Sequence, residues 1–229
     1  MRKLAIVGYG KMGKLIEQLA PEYDFEVVLK LDEFNNVKGS GFTAANFEGV
    51  DVAIEFSIPS AVPENVAGVA ALGVPIVVGT TGWLEHLDVV KETVQKHGTG
   101  LVWSPNFSIG VNVFFRLVAE AARLLSSEPA YGSWAWEIHH SAKKDAPSGT
   151  LLKLVDEMKK AGYARNIDVG SNRAGAIPGT HEIGFDSAAD TITLRHSARS
   201  REGFARGALK AADWLVGKKG FYEFSEIEF

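Results

Sequence analysis

The chain has 229 residues, 46% of them hydrophobic and 23% charged, enough to bury the core of one large or two small domains. Its net charge of −4 argues against nucleic acid as the main partner, because phosphate-backbone binding draws on an excess of Lys and Arg. No apolar run approaches the roughly eighteen residues of a membrane span, the opening Met1-Arg2-Lys3 reads as no signal peptide, and the absence of cysteine suits a reducing cytoplasm.

Lys3 to Val7 form a short apolar run that stops at Gly8-Tyr9-Gly10-Lys11-Met12-Gly13, after which Leu15, Ile16, Leu19 and Ala20 recur at helical spacing. Strand, glycine turn and helix in that order are the setting of a dinucleotide site. Gly8 makes the tight turn, Gly10 lets a pyrophosphate approach the backbone, and Gly13 lets helix and strand pack closely. A second strand, Phe25 to Leu31, ends at Asp32, about twenty residues beyond the glycines, where an acid can bind both adenosine ribose hydroxyls. Glu33 follows in place of the arginine that a 2′-phosphate site would carry, so NADH is favoured over NADPH. Lys30 and Lys38 are close enough in sequence to leave dual use open.

Apolar segments then alternate with helical patterns: Val52 to Phe56, a helix near Ala61 to Leu72, Pro75 to Val78, a helix near Leu84 to Lys96, and Gly100 to Trp103. Such alternation means a parallel, doubly wound sheet. Phe56-Ser57, Gly79-Thr80-Thr81-Gly82 and Ser104-Pro105-Asn106-Phe107 fall at the strand ends. Ligands bind outside the carboxyl ends of such strands, so these loops are expected to line the nicotinamide side.

After Asn106 the pattern changes to a long helix, Val111 to Leu125, and strands near Tyr131 to His140, His181 to Phe185 and Thr191 to His196. In the last, Ile192, Leu194 and His196 alternate with Thr191, Thr193 and Arg195, an apolar face that needs cover from helices or another subunit. Gly162 to Gly179, rich in glycine and polar residues, reads as a long loop across that sheet. Phe204, Ala208, Ala211, Ala212 and Leu215 share one face of a C-terminal helix expected to return to the first domain. The fold class is α/β: a Rossmann-type dinucleotide-binding domain, residues 1–107 and 202–229, plus a second α+β domain with an open mixed sheet, residues 108–201.

The segment Glu137-Ile-His-His-Ser-Ala-Lys-Lys-Asp-Ala-Pro-Ser-Gly-Thr150 packs two imidazoles, two ammonium groups and a helix start into a short stretch. The order is strand, polar loop, helix. Ser148 or a neighbour caps the helix, leaving the N–H groups around Gly149 and Thr150 free to bind a carboxylate or phosphate. A metal is not expected, because adjacent histidines on a strand chelate poorly and no cysteine is present.

On these residues the chain resembles the 4-hydroxy-tetrahydrodipicolinate reductase (dihydrodipicolinate reductase) family nearly end to end. Glu137, His139, His140, Lys143 and Asp145 to Thr150 match its Glu-x-His-His and Lys-x-Asp-Ala-Pro-Ser-Gly-Thr segments. The Gly79 to Gly82 turn, Asn106-Phe107-Ser108, Gly110-Val111-Asn112, Gly179-Thr180-His181-Glu182, and Ser200-Arg201 with Phe204 to Ala208 are also similar to the family's. Two departures are a glycine turn one residue shorter than in many members and Glu33 where a basic residue often stands.

The resemblance implies hydride transfer from NADH or NADPH to a cyclic dicarboxylic imine in diaminopimelate and lysine biosynthesis. It implies a homotetramer assembled through the second-domain sheet, and the composition adds the expectation that it is cytoplasmic. It makes His139 and Lys143 the acid pair and His140, Gly149 and Thr150 the substrate-carboxylate partners, and it gives the cofactor Gly8 to Gly13, Asp32, Gly79, Thr80, Thr81 and Ser104 to Phe107. Two other classes share the glycine turn: an NADH-binding regulatory protein, and a dehydrogenase of aspartate or of an amino-acid semialdehyde. The histidine-lysine segment separates them from the reductase.

Overall fold

In the computed structural model, which describes residues 1–227, β1 (Arg2–Val7) turns into α1 (Lys11–Leu19). β2 (Phe25–Leu31), β3 (Val52–Glu55), α2 (Val62–Ala71), β4 (Ile76–Val78), α3 (Leu87–His97) and β5 (Gly100–Trp103) follow. Next come α4 (Ile109–Leu125), β6 (Gly132–His139), α5 (Gly149–Lys160), β7 (Ile167–Arg173), β8 (Thr180–Asp186) and β9 (Thr191–Ser197). The described chain closes with α6 (Glu202–Leu215) and β10 (Gly220–Glu223). It divides into two compact units, residues 1–108 with the chain from Glu202 onward, and Ile109–Arg201, so Ser108 falls with the first.

The first unit holds a six-stranded parallel sheet in the order β10-β5-β4-β3-β1-β2. Its central strands are buried on both faces, which is why Val52 to Ile54 and Ile76 to Val78 read as continuous apolar runs rather than alternating ones. Ala5, Val7, Ala53, Val66, Val69, Ile76 and Leu101 belong to one core under the sheet. On α6, Ala205, Ala208, Leu209, Ala211, Ala212 and Leu215 are buried, and the helix packs beside α1 and over β3, β4 and β5. β10 joins β5 as an edge strand that periodicity did not pick out, because Phe221 and Tyr222 are only half-buried there and the run is four residues long.

The second unit holds a four-stranded mixed sheet in the order β7-β6-β8-β9, with β7 parallel to β6 and β8 antiparallel to both β6 and β9. One expectation is corrected here. Part of the expected loop Gly162 to Gly179 is β7. Its Gly170, Ser171 and Asn172 have low strand propensity, and an edge strand paired on one side needs little apolar character. The face of β9 bearing Leu194 and His196 is covered from within the same unit: Leu194 packs against the core formed by α4, α5 and the sheet, and the His196 ring lies 5.9 Å from that of Phe114. The opposite face carries Trp134, Trp136 and Ile138, none of which joins that core. Among the described residues no helix is long and apolar enough to cross a membrane.

Gly207 marks the tightest crossing of α6, since a Cβ there would stand 1.7 Å from the Phe107 carbonyl oxygen. Gly207→Ala is expected to push the helix off the strand ends and lower stability by about 1–3 kcal/mol. Urea denaturation of the purified variant measures this.

Candidate active site

All six strands of the first sheet run parallel, so their carboxyl ends meet at one edge, where an anionic ligand finds helix N-termini. Gly8 ends β1 at φ +95°, which a side chain would disfavour, and a Cβ there would lie 2.1 Å from the Phe56 carbonyl oxygen. The ends of β1 and β3 pass that closely. Buried Gly13 allows the matching contact on α1, where a Cβ would stand 2.6 Å from the Gly8 oxygen. At Gly10, the N-cap of α1, nothing lies within 4 Å of a Cβ position and no side chain caps the helix. The first turn of α1 thus keeps N–H groups for a ligand.

Val7, Gly8, Tyr9, Gly10, Asp32 and Phe34 line a cleft of about 400 Å³. A cavity of about 490 Å³ is lined by Gly10, Lys11, Met12, Gly79, Thr80 and Thr81, and it shares Gly10, Phe56 and Ser57 with the first. Asp32 stands at the end of β2 in a turn of its own making: Oδ1 accepts from the backbone N of Phe34 at 2.9 Å and of Asn35 at 3.2 Å. These residues fit a dinucleotide, with an uncapped helix for the pyrophosphate and an oriented carboxylate for a ribose. Lys30, near enough in sequence to meet a 2′-phosphate, is taken up by Glu17 at 2.9 Å, and the Tyr9 hydroxyl donates to the same carboxylate.

Ser104, Pro105, Asn106 and Phe107 line neither cavity. Ser104 Oγ bridges to the Asn106 backbone, and the Phe107 ring is buried with its centroid 4.8 Å from that of Phe224 and 6.5 Å from that of Phe56. Glu55 was missed. Wholly buried at the end of β3, it accepts from Ser57 N at 3.0 Å, from Ser57 Oγ and from Asn65 Nδ2 at 3.3 Å. Burial pushes its carboxyl above the usual 4.5, against the pull of Ser57, Thr80 and Asn65. An acid inside the apolar run Val52-Ala-Ile-Glu-Phe was the available signal.

In the second unit β6 ends at His139, and His140 opens the loop that leads to α5. Ser148 is the N-cap, its Oγ accepting from Leu151 N at 3.2 Å. Gly149 and Thr150 begin α5, with open space around the Gly149 Cβ position. Lys143 Nζ binds the Asp145 carboxylate at 2.7 and 2.9 Å, and that carboxylate also accepts from the Gly149 backbone. A side-chain anion therefore rests on the partners that sequence reasoning reserved for a ligand carboxylate.

Behind this loop sits Glu137, fully buried on β6. Its Oε1 accepts from Ser148 N at 2.8 Å, Ser171 Oγ at 2.8 Å and Arg173 Nη2 at 3.0 Å, and its Oε2 accepts from Ser148 Oγ. His181 Nε2 lies 3.3 Å and His139 Nδ1 3.5 Å from Oε2, and the two rings meet edge to face at 5.1 Å. Donor atoms of Glu137, His139 and His181 lie within 4.8 Å of one another, close enough to hold a cation. The histidine that meets His139 here is His181 from β8, not its chain neighbour His140. Here the carboxylate is already occupied by two serines and neutralised by Arg173, so the cluster reads as a hydrogen-bond hub. Sequence reasoning left Glu137, His181 and Arg173 without roles because they come from three strands.

Models of the family described as "Dihydrodipicolinate reductase, N-terminus" and "Dihydrodipicolinate reductase, C-terminus" match residues 2–107 and 110–227. The chain is 35% identical over 235 residues to 4-hydroxy-tetrahydrodipicolinate reductase of Christiangramia forsetii, covering 98% of this chain and 96% of the relative. It is also 35% identical over 263 residues to that of Methanosarcina acetivorans, covering 99% of each. The solved structure of dipicolinate-bound dihydrodipicolinate reductase from Paenisporosarcina sp. TG-14 superposes with a TM-score of 0.80 at 23% identity over the full length of both chains, a likeness of fold.

The hub sets how the second unit responds to acid. Burial alone would raise the Glu137 pKa, but the Ser148, Ser171 and Arg173 hydrogen bonds outweigh it and hold the carboxyl at about 2. Burial, assisted by His139, pushes His181 down to about 4. Both pKa values lie below those of the unfolded chain, so both contributions to stability are present at neutral pH. His181's is lost as pH falls from about 6.5 through 4, and Glu137's as pH falls from about 4.5 toward 2. Urea midpoints measured from pH 8 to 3 are expected to decline in this order, and His181→Asn is expected to flatten the decline between pH 6.5 and 4.

Proposed function

The chain belongs to the dihydrodipicolinate reductase family, and from that premise we propose that it reduces the cyclic imine derived from 4-hydroxy-tetrahydrodipicolinate to tetrahydrodipicolinate. It is an oxidoreductase that uses NAD(P)H. The observation that carries the substrate assignment is the segment His139 to Thr150, where, beside an imidazole, an ammonium and the start of α5 already receive a carboxylate, that of Asp145, on one loop. An NADH-binding sensor would need no such cluster, and fold likeness by itself does not separate the reductase from other small dehydrogenases.

When bound, the nicotinamide supplies the hydride. Asp32 binds the ribose hydroxyls, Gly8 to Gly13 hold the pyrophosphate, and Gly79, Thr80 and Thr81 line the nicotinamide side, with Ser104 to Phe107 supporting these loops. Glu33 repels a 2′-phosphate, and Lys30 is paired with Glu17, so NADH is the preferred cofactor. The substrate's carboxylates take His140, Lys143 and the Gly149 and Thr150 N–H groups, displacing the Asp145 carboxylate from Lys143 and Gly149. Each charge-assisted bond is worth about 1.5–3 kcal/mol.

Protonation of the ring nitrogen completes the reduction. Burial pushes His139 below its usual 6.5, assisted by Lys143 and Arg173 and opposed by Glu137, so at neutral pH its ring is neutral. Lys143 therefore carries the proton to the substrate, with His139 as its partner in the acid pair. This activity belongs to diaminopimelate and lysine biosynthesis in the cytoplasm.

With substrate generated in the cuvette from pyruvate and aspartate semialdehyde by the preceding synthase, absorbance at 340 nm is expected to fall rapidly, faster with NADH than with NADPH. Lys143→Ala is expected to lower turnover at least a hundredfold while NADH still binds. NADH binding without oxidation would instead favour a sensor or another dehydrogenase.

The half-buried Trp134, Trp136 and Ile138 face of the second sheet supports assembly as a homotetramer through that surface. Light scattering coupled to size exclusion is expected to give four times the chain mass for the wild type and a smaller species for Trp136→Arg. A wild-type monomer would refute the assembly.

A further inference from the structure

A carboxylate with no exposure must be matched by donors, and the donors around Glu137 come from the α5 N-cap and from β7. An ionised carboxylate only accepts, so the Ser148 hydroxyl commits its hydrogen to Oε2. Ser148 Oγ is left to accept, from Leu151 N at 3.2 Å and from His181 Nε2 at 3.2 Å. That makes His181 Nε2 the protonated nitrogen of its ring. It also fixes the N-cap, and with it the first N–H groups of α5.

The same Oε2 faces His139 Nδ1. Nδ1 is fully buried 3.5 Å from Oε2 and among the described residues makes no hydrogen bond in this geometry, so only a small closing of that gap separates it from Glu137 as its acceptor. The opposite nitrogen points toward Gly179, where a Cβ would stand 2.8 Å from His139 Nε2. Gly179 has φ +144°, and its missing side chain keeps that nitrogen from being covered. One nitrogen of His139 is turned to the buried carboxylate and the other faces a glycine, where any side chain would crowd it.

We propose that Glu137 is the positioning residue of this site, holding His139 in the Nδ1–H tautomer with Nε2 turned to the reacting groups while it pins Ser148 and so fixes the α5 N-terminus, whose Gly149 N–H a substrate carboxylate takes over from Asp145. A buried carboxylate that orients an imidazole from behind sets which nitrogen does the chemistry. The assignment rests on the reading of His139 as one of the acid pair, and its test is separable from that reading.

Long-range ¹H–¹⁵N correlation spectra of the uniformly ¹⁵N-labelled full chain at pH 7.5 report the tautomer of each histidine. The wild type is expected to give His139 protonated at Nδ1 and His181 protonated at Nε2. In Glu137→Gln the amide can donate to His139 Nδ1, so His139 is expected to switch to the Nε2–H form. Imine reduction is expected to fall about tenfold to a hundredfold or more, with NADH affinity by fluorescence titration within twofold of wild type. Glu137→Asp is expected to restore the Nδ1–H tautomer and part of the rate.

A wild-type His139 that is bare at Nδ1 overturns the assignment, and so does a folded Glu137→Gln chain with unchanged tautomer and unchanged rate. If Glu137→Gln does not fold, the wild-type spectrum decides alone. Failure of the wild type to reduce the imine refutes the functional reading, whichever tautomer the spectrum gives.

Discussion

A parallel sheet cannot be closed by hairpins. Each strand of the first unit must be reached by a crossover, and the consequence is that β1, β2, β3 and β4 all deliver their carboxyl ends to one edge. Everything proposed for the cofactor depends on that convergence. Gly8 and Gly13 let β1, α1 and the end of β3 approach at distances that a Cβ would forbid, and uncapped Gly10 leaves the start of α1 available. The fold pays a local cost in strained or featureless residues here, and α6 returns over β3 to β5 to bury the sheet's other face.

Two carboxylates sit wholly buried, one in each unit, and their surroundings give them opposite tendencies. Glu55 has serine, threonine and asparagine donors but no cation, so burial dominates and pushes its carboxyl above the usual range. Glu137 has two serines and the Arg173 guanidinium, so its charge is retained. An ionised Glu137 in turn orders the residues around it: Ser148 at the helix start, Ser171 and Arg173 on β7, and the imidazoles of His139 and His181. The chemistry ascribed to the loop from His140 to Ser148 is therefore prepared by residues on three strands behind it.

Much of this was legible from residue order because the physics involved is local. The strand, glycine turn and helix at Lys3 to Ala20, the acid at Asp32 and the cap at Ser148 depend on contacts a few residues apart. β2 and β5 were placed to the residue, since a buried apolar run bounded by turn residues has a clear start and end. β7 escaped because an edge strand needs only backbone pairing on one side, which Gly170, Ser171 and Asn172 can supply without apolar alternation. The face of β9 was read correctly as apolar, but which layer covers it depends on where α4 lies.

The sequence by itself determined the kind of protein: a dinucleotide turn with its acid, a doubly wound first half, and a histidine-lysine loop running into a capped helix. Each of these follows from short-range periodicity, turn chemistry and charge. The tertiary structure alone decided what surrounds them. It placed Asp145 on Lys143 and the α5 start, withdrew Lys30 to Glu17, moved Phe107 into a core, and gathered Glu137, His181 and Arg173 behind His139. Burial and hydrogen-bond partnership depend on residues distant in the chain, and so therefore do protonation state and tautomer.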